Sequence, residues 1–167
     1  QTFHYIEPLT FWMAIDPEIP RGYDAAMNKL EELKAEDNHE AHCWENSVYQ
    51  RPTGRPAGVF VDAAWCNGLV WSMNSAPGLP EPNHFSTIWN EKKCKEYVEA
   101  EDPDHRVKGW YIDSIEGFLI DELNFRRSHF AAMDTPLTFD ALSGKPAIFT
   151  PLVAFEFTRA ISGDLHD

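Results

Sequence analysis

Three short apolar runs, each closed by an acid, recur along the chain: Phe3-His4-Tyr5-Ile6-Glu7, Gly58-Val59-Phe60-Val61-Asp62 and Gly109-Trp110-Tyr111-Ile112-Asp113. Their shortness and their β-branched and aromatic content predict buried strands rather than helix segments. Between the first two runs, Tyr23, Met27, Leu30 and Lys34 form one stripe at helical spacing, with Ala26 and Leu33 beside it. Lys29, Glu31, Glu32 and Glu36 take the opposite side, so the segment predicts an amphipathic helix. Ser86 to Ala100 repeats the pattern more weakly through Ile88, Trp89, Tyr97 and Val98. Near the end, Thr150-Pro151 supplies a cap and a first-turn proline, and Val153, Phe157, Ala160, Ile161 and Leu165 then recur at helical spacing.

The order strand, helix, strand, helix, strand, helix predicts an α/β fold of parallel βα units. Long loops interrupt it at Asn38 to Pro56, Ala63 to Phe85 and Ser114 to about Phe149. The last two follow strand carboxyl ends, the rim where ligands bind in parallel barrels and open sheets. Three units are too few to close a (β/α)8 TIM barrel, which takes about 250 residues. The expectation is therefore that residues 1–167 form a single α/β segment, an internal piece of a partial barrel, with the remainder of that barrel as its partner.

Charge narrows the function classes. Against 14 Lys and Arg stand 27 Asp and Glu, a field that repels polyanions and argues against nucleic acid as a partner. No apolar run approaches the roughly 20 residues of a membrane-spanning helix, so a soluble chain without a membrane partner is expected. Cys43, Cys66 and Cys94 form no CxxC pair, which predicts free thiols rather than a zinc knuckle or disulfide framework. The opening residues lack the basic and apolar regions of a signal peptide, and the compartment stays open, with a secreted or periplasmic setting suited to a polysaccharide hydrolase. GxGxxG, P-loop, GxSxG and HExxH patterns are absent, and no cofactor is expected.

Candidate chemistry concentrates at the third run, where Asp113 and Glu116 lie at and just beyond a strand end. Paired acids can divide proton donation from nucleophilic or base work. Strand alternation sets the two on opposite sides unless the chain turns after Asp113, which Gly117 allows. Glu7 and Asp62 hold the matching ends of the other two runs; a helix cap or an ion pair is the competing use for a strand-end Asp. Trp12, Trp65, Trp71 and Trp110 sit in or near the proposed rim loops, where flat faces suit sugar rings; Trp65 and Trp71, in a loop with Asn67, Gly68, Ser72 and Asn74, are the better ligand candidates, whereas Trp110 belongs to the core. Arg126, Arg127 and His129 could receive an anionic sugar or pair with neighbouring acids. His39-Glu40-Ala41-His42-Cys43 contains metal-ligand residue types but follows a helix, away from the proposed rim, and no metal is assigned.

The run Tyr111-Ile112-Asp113-Ser114-Ile115-Glu116, followed by Leu123 to Phe130 and by Pro136-Leu137-Thr138-Phe139-Asp140, resembles bacterial glycoside-hydrolase-type (β/α)8 barrel proteins. Tyr5-Ile6-Glu7-Pro8 and Phe60-Val61-Asp62 are similar in kind. The resemblance implies a barrel and glycosidic bond cleavage. The expected site comprises Asp113, Glu116 and Asp62 as catalytic acids on a carbohydrate substrate, with Glu7, Trp65, Trp71, Asn67, Arg126 and His129 as substrate contacts. Two alternatives remain: a non-catalytic carbohydrate-binding module with Trp65 and Trp71 as its platform, and a metal-dependent hydrolase using Glu7, Asp62 and Asp113 as oxygen ligands.

Overall fold

The alternation in Thr10-Phe11-Trp12-Met13-Ala14 sends Phe11 and Met13 to one face and Trp12 to the other. These residues form strand β2, Thr10–Ala14, directly after β1, Phe3–Ile6. A computed structural model describes residues 3–90, 109–118 and 120–166. After β2 come helices α1, Tyr23–Ala35, and α2, His39–Ser47, then strands β3, Gly58–Ala63, β4, Cys66–Ser72, and β5, Gly109–Ile112. The rest is β6, Leu123–Asn124, a 3-10 helix at Arg127–Ala132, β7, Thr138–Phe139, β8, Pro146–Phe149, and helix α3, Thr150–His166.

The described strands form small sheets that are mostly antiparallel, not a barrel segment of parallel βα units. β2, β4 and β3 pair antiparallel in that order, with Trp12 opposite Val70 and Phe60 opposite Leu69. β6, β8 and β7 make a second antiparallel sheet. Parallel pairing is confined, among the described residues, to β1 and β5, where Tyr5 stands opposite Tyr111. The cause of the correction is local. β3 and β4 are joined by Ala64-Trp65 alone, and a two-residue connection can only reverse the chain, whereas a parallel neighbour needs a crossover of a dozen or more residues. Of the three acid-ended strands expected to be equivalent, β1 and β5 pair with each other and β3 lies in another sheet.

Three expected loops also contain regular structure. α2 occupies part of 38–56, and its start is fixed by the Asn38 side chain, which accepts the Ala41 N–H at 2.9 Å. β4 occupies 66–72 of the second loop, and β6, β7 and β8 lie in the third. The expected helices at α1 and α3 are present. Of the Ser86 to Ala100 helix, residues 84–90 are helical and 91–100 lie outside the described residues. Cys43 and Cys66 are buried free thiols, and Cys94 also lies outside the described residues.

One face of the β2-β4-β3 sheet packs on α1 and α2 through Phe11, Met13, Leu69 and Trp71 against Ala26, Leu30 and Trp44. Trp71 meets Trp44 edge to face at 5.2 Å. Each such fully buried large side chain contributes about 1.5 to 3 kcal/mol by leaving water. Gly68 permits the closest approach of β4 to β2, since a Cβ there would lie 2.1 Å from the Met13 carbonyl oxygen. The β1-β5 pair rests its Ile6, Trp110 and Ile112 side on Phe85, Trp89, Phe157 and Ile161. Its other side carries the polar groups described next.

Candidate functional site

Alternation along two parallel strands in register builds a polar face on β1 and β5. With Ile6 and Ile112 turned into the core, Tyr5 and Glu7 project from one strand and Tyr111 and Asp113 from the other. The ladder continues one residue past β5, because the Asp113 N–H donates to the Ile6 carbonyl at 2.9 Å. Tyr5 and Tyr111 stack with centroids 5.8 Å apart, which holds the Tyr5 hydroxyl over the strand ends.

That hydroxyl lies between two carboxylates. It donates to Glu7 and stands 2.8 Å from Asp113 Oδ2. Glu7 also accepts from Thr10 Oγ1 at 2.7 Å and from the Trp12 indole N–H. Asp113 Oδ1 accepts the Ser114 N–H at 2.8 Å, in a turn where Ser114 takes φ 53°. Burial, together with hydrogen bonds to Glu7 and Asp113, raises the Tyr5 phenol above its ordinary pKa, so the group stays a proton carrier at neutral pH. A phenol has one proton. It donates that proton to one carboxylate or shares it between the two.

Beside these groups opens a cleft of about 440 Å³ lined by Tyr5, Glu7, Thr10, Trp12, Glu40, Trp65 and Ile88. Trp65, at the tip of the β3-β4 hairpin, is 73% exposed and leans on Trp12 with ring centroids 6.4 Å apart. The cleft thus combines an acidic floor with an indole wall.

The expected site residues divide accordingly. Glu7 and Trp65 line the cleft, and Asp113 joins Glu7 through the Tyr5 hydroxyl without lining it. Glu116 is exposed, and although the chain does turn after Asp113, no hydrogen bond among the described residues joins it to Asp113 or Glu7. Asp62 follows the Phe60 side of β3, opposite the Trp12 side, and sits 3.8 Å from Arg21. Asn67 accepts from the same Arg21. Trp71 is a core residue at 1% exposure, not a platform for ligand. Arg126 lines a different cleft, and His129 is buried, with Nδ1 accepting from the amides of Asn124 at 2.9 Å and Asn74 at 3.2 Å. Burial first, and the Arg126 charge second, push His129 down to a pKa of about 3.

Sequence reasoning placed Trp12 near the rim and passed over Tyr5, Thr10 and Glu40 as members of one site. Tyr5 was legible as the period-two neighbour of Glu7, whereas Glu40 arrives through tertiary packing of α2 and not on the far side assigned to it. Among the described residues, no group of three His, Cys, Asp or Glu could hold a metal ion, and Asp62 does not join Glu7 and Asp113. No helix among the described residues is long and apolar enough to cross a membrane. In comparison with known proteins, no protein family, no curated protein and no solved structure matches the chain.

Proposed function

We propose that the chain binds carbohydrate in the Trp12-Trp65 cleft and hydrolyses a glycosidic bond between Asp113 and Glu7. The observation that carries this reading is the placement of both carboxyl groups within hydrogen-bond reach of one oxygen, that of Tyr5. Two hydrogen bonds meeting at one atom cap the separation of the nearest carboxyl oxygens at about 5.5 Å, an upper bound that allows the roughly 5 to 5.5 Å spacing of glycosidases that retain anomeric configuration. Glu7, on which three donors converge, is the nucleophile or base. Asp113 is the proton donor, passing its proton to the leaving oxygen while Tyr5 donates to Glu7.

Two further features support a sugar as the ligand. Indole faces suit the C–H faces of pyranose rings, and Trp65 offers one at a hairpin tip without weakening the core. The short motifs at 111–116, 123–130 and 136–140 are similar to those of bacterial glycoside hydrolases, which supports the chemistry though not the barrel. A second reading, binding without turnover, draws on the same exposed Trp65. Titration of neutral oligosaccharides against indole fluorescence, with product analysis of the same mixtures, separates them. Saturable quenching with release of reducing ends supports hydrolysis, quenching alone supports a binding module, and the absence of both removes the carbohydrate reading.

A further inference from the structure

A second cleft of about 440 Å³ shares no lining residue with the acidic one and has the opposite character. Gln50, Arg51, Arg126, Arg127, Ser128 and Lys145 supply its polar groups, and no Asp or Glu lines it among the described residues. Four of the chain's 14 Lys and Arg converge on this one opening in a protein with 27 Asp and Glu. Random scatter of the cations would not produce that density beside so large an acidic excess.

The four cations are not equally engaged. Arg51 has an ion pair, with Asp121 at 3.2 Å, and also donates to the Gly58 carbonyl at 2.9 Å. Lys145 Nζ reaches the Pro52 carbonyl at 3.4 Å, and its charge acts on Asp140 in the next turn. Arg126 is half-buried and among the described residues donates to neutral partners: Nη1 to the Val48 carbonyl and Nε to Ser128 Oγ, both at 3.1 Å. Glu45 is the acid whose field reaches it, without an ion pair among the described residues. Two of its five N–H groups are thereby used, which leaves three for a ligand on a guanidinium that lines the cleft. Arg127 is exposed and has no ion pair among the described residues. A partly desolvated cation without a counter-ion is costly to keep, and a bound anion relieves that cost.

We propose that this cleft binds a compact tetrahedral oxyanion, phosphate or sulfate, free or as the ester group of a sugar, with Arg126 as the seat and Arg127, Lys145 and Ser128 around it. The proposal is independent of glycoside hydrolysis at the acidic cleft. Its test is calorimetric titration of the whole chain at low ionic strength with sodium sulfate and sodium phosphate, against sodium chloride as the control for general screening. Saturable binding of either oxyanion at one site is expected, with Arg127→Gln and Lys145→Gln each weakening it roughly tenfold as one charge-assisted contact is lost. Arg126→Lys should weaken it more, because the point charge cannot replace the fork. If that variant fails to fold, the two exposed substitutions still decide the matter. A sugar sulfate or sugar phosphate binding at least tenfold tighter than the inorganic ion identifies the ester as the source, and equal affinity identifies the free anion. Heats indistinguishable from chloride for every probe, or affinity unchanged in the Arg127→Gln/Lys145→Gln double variant, overturn the site.

Discussion

Tyr5 and Asp113 stand 108 residues apart in the chain and 2.8 Å apart in the fold, phenol oxygen to Oδ2. The hydroxyl has a second carboxylate, Glu7, on its other side. Tyr5→Phe keeps the stack on Tyr111 and removes only the bridge. Turnover of a glycoside should fall by about 10- to 100-fold, since the proton is no longer positioned between the two acids. Stability should change by about 1 kcal/mol or less, the usual net worth of one partly exposed hydrogen bond. Paired kinetics and thermal melts check this, and a large loss of stability would make Tyr5 a structural residue first.

The two tryptophans expected to flank a ligand should part company. Trp65→Ala removes a ring that is 73% exposed, so stability should hold while carbohydrate affinity drops by tenfold or more. Trp71→Ala empties the centre of the sheet-helix core beside Trp44 and should cost about 3 to 5 kcal/mol. Urea midpoints and ligand titrations on both variants give four numbers, and equal stability losses would contradict the placement of Trp65 at the hairpin tip.

The antiparallel contact of β2 with β4 is open to a one-atom test. A methyl at Gly68 would press on backbone atoms of Met13, Ala14 and Ile15, none of which can swing aside. Gly68→Ala should therefore destabilise by about 1 to 3 kcal/mol or more. Gly163, in the exposed part of α3 with open space around it, is the control. Gly163→Ala should be neutral or stabilise by up to about 1 kcal/mol. Melting temperatures that move together would mean that β4 does not run against β2 as described.

How much of this was legible follows from how each segment is buried. β1, β3 and β5 stand out because an apolar run ends in an acid, and α1 and α3 because one face is apolar. β4 is central and buried on both faces, so Cys66-Asn67-Gly68-Leu69-Val70-Trp71-Ser72 shows no clean alternation, and its Asn-Gly pair imitates a loop. α2 has too few apolar residues to mark a stripe, and the Asn38 cap that fixes its start was read as the opening of a loop. Pairing was beyond reach for a different reason. A short run ending in an acid looks the same in a parallel repeat and in a hairpin, and the two-residue Ala64-Trp65 turn, which decides between them, is invisible once β4 is read as loop. For the same reason Glu7 and Asp113 were both found as strand ends, while Asp62 was wrongly grouped with them.

His129 makes the fold sensitive to acid. Held to a pKa of about 3 by burial and by Arg126, it stays neutral in the fold, whereas the unfolded chain takes up a proton near 6.5. The unfolded state thus binds more protons between these values, and the stabilisation present above pH 6.5 is lost as pH falls toward 3. The loss from pH 6.5 to pH 5 should be about 2 kcal/mol. His129→Leu should be less stable than the parent at pH 7, because Asn74 and Asn124 lose their acceptor, and should show a flatter decline over that interval. Urea denaturation at pH 7, 6 and 5 measures both, and parallel declines would exclude His129 as the titrating group.

The central claim rests on which acids act as a pair, and kinetics of four substitutions in one background tests it most directly. On a panel of aryl glycosides followed by product release, Glu7→Gln and Asp113→Asn should each lower kcat by at least about 100-fold with melting temperatures little changed. Glu116→Gln and Asp62→Asn, whose side chains lie outside the Tyr5 bridge, should stay within about threefold of the parent. Near-normal kcat in the first two variants, or a collapse confined to Glu116→Gln and Asp62→Asn, would contradict the account.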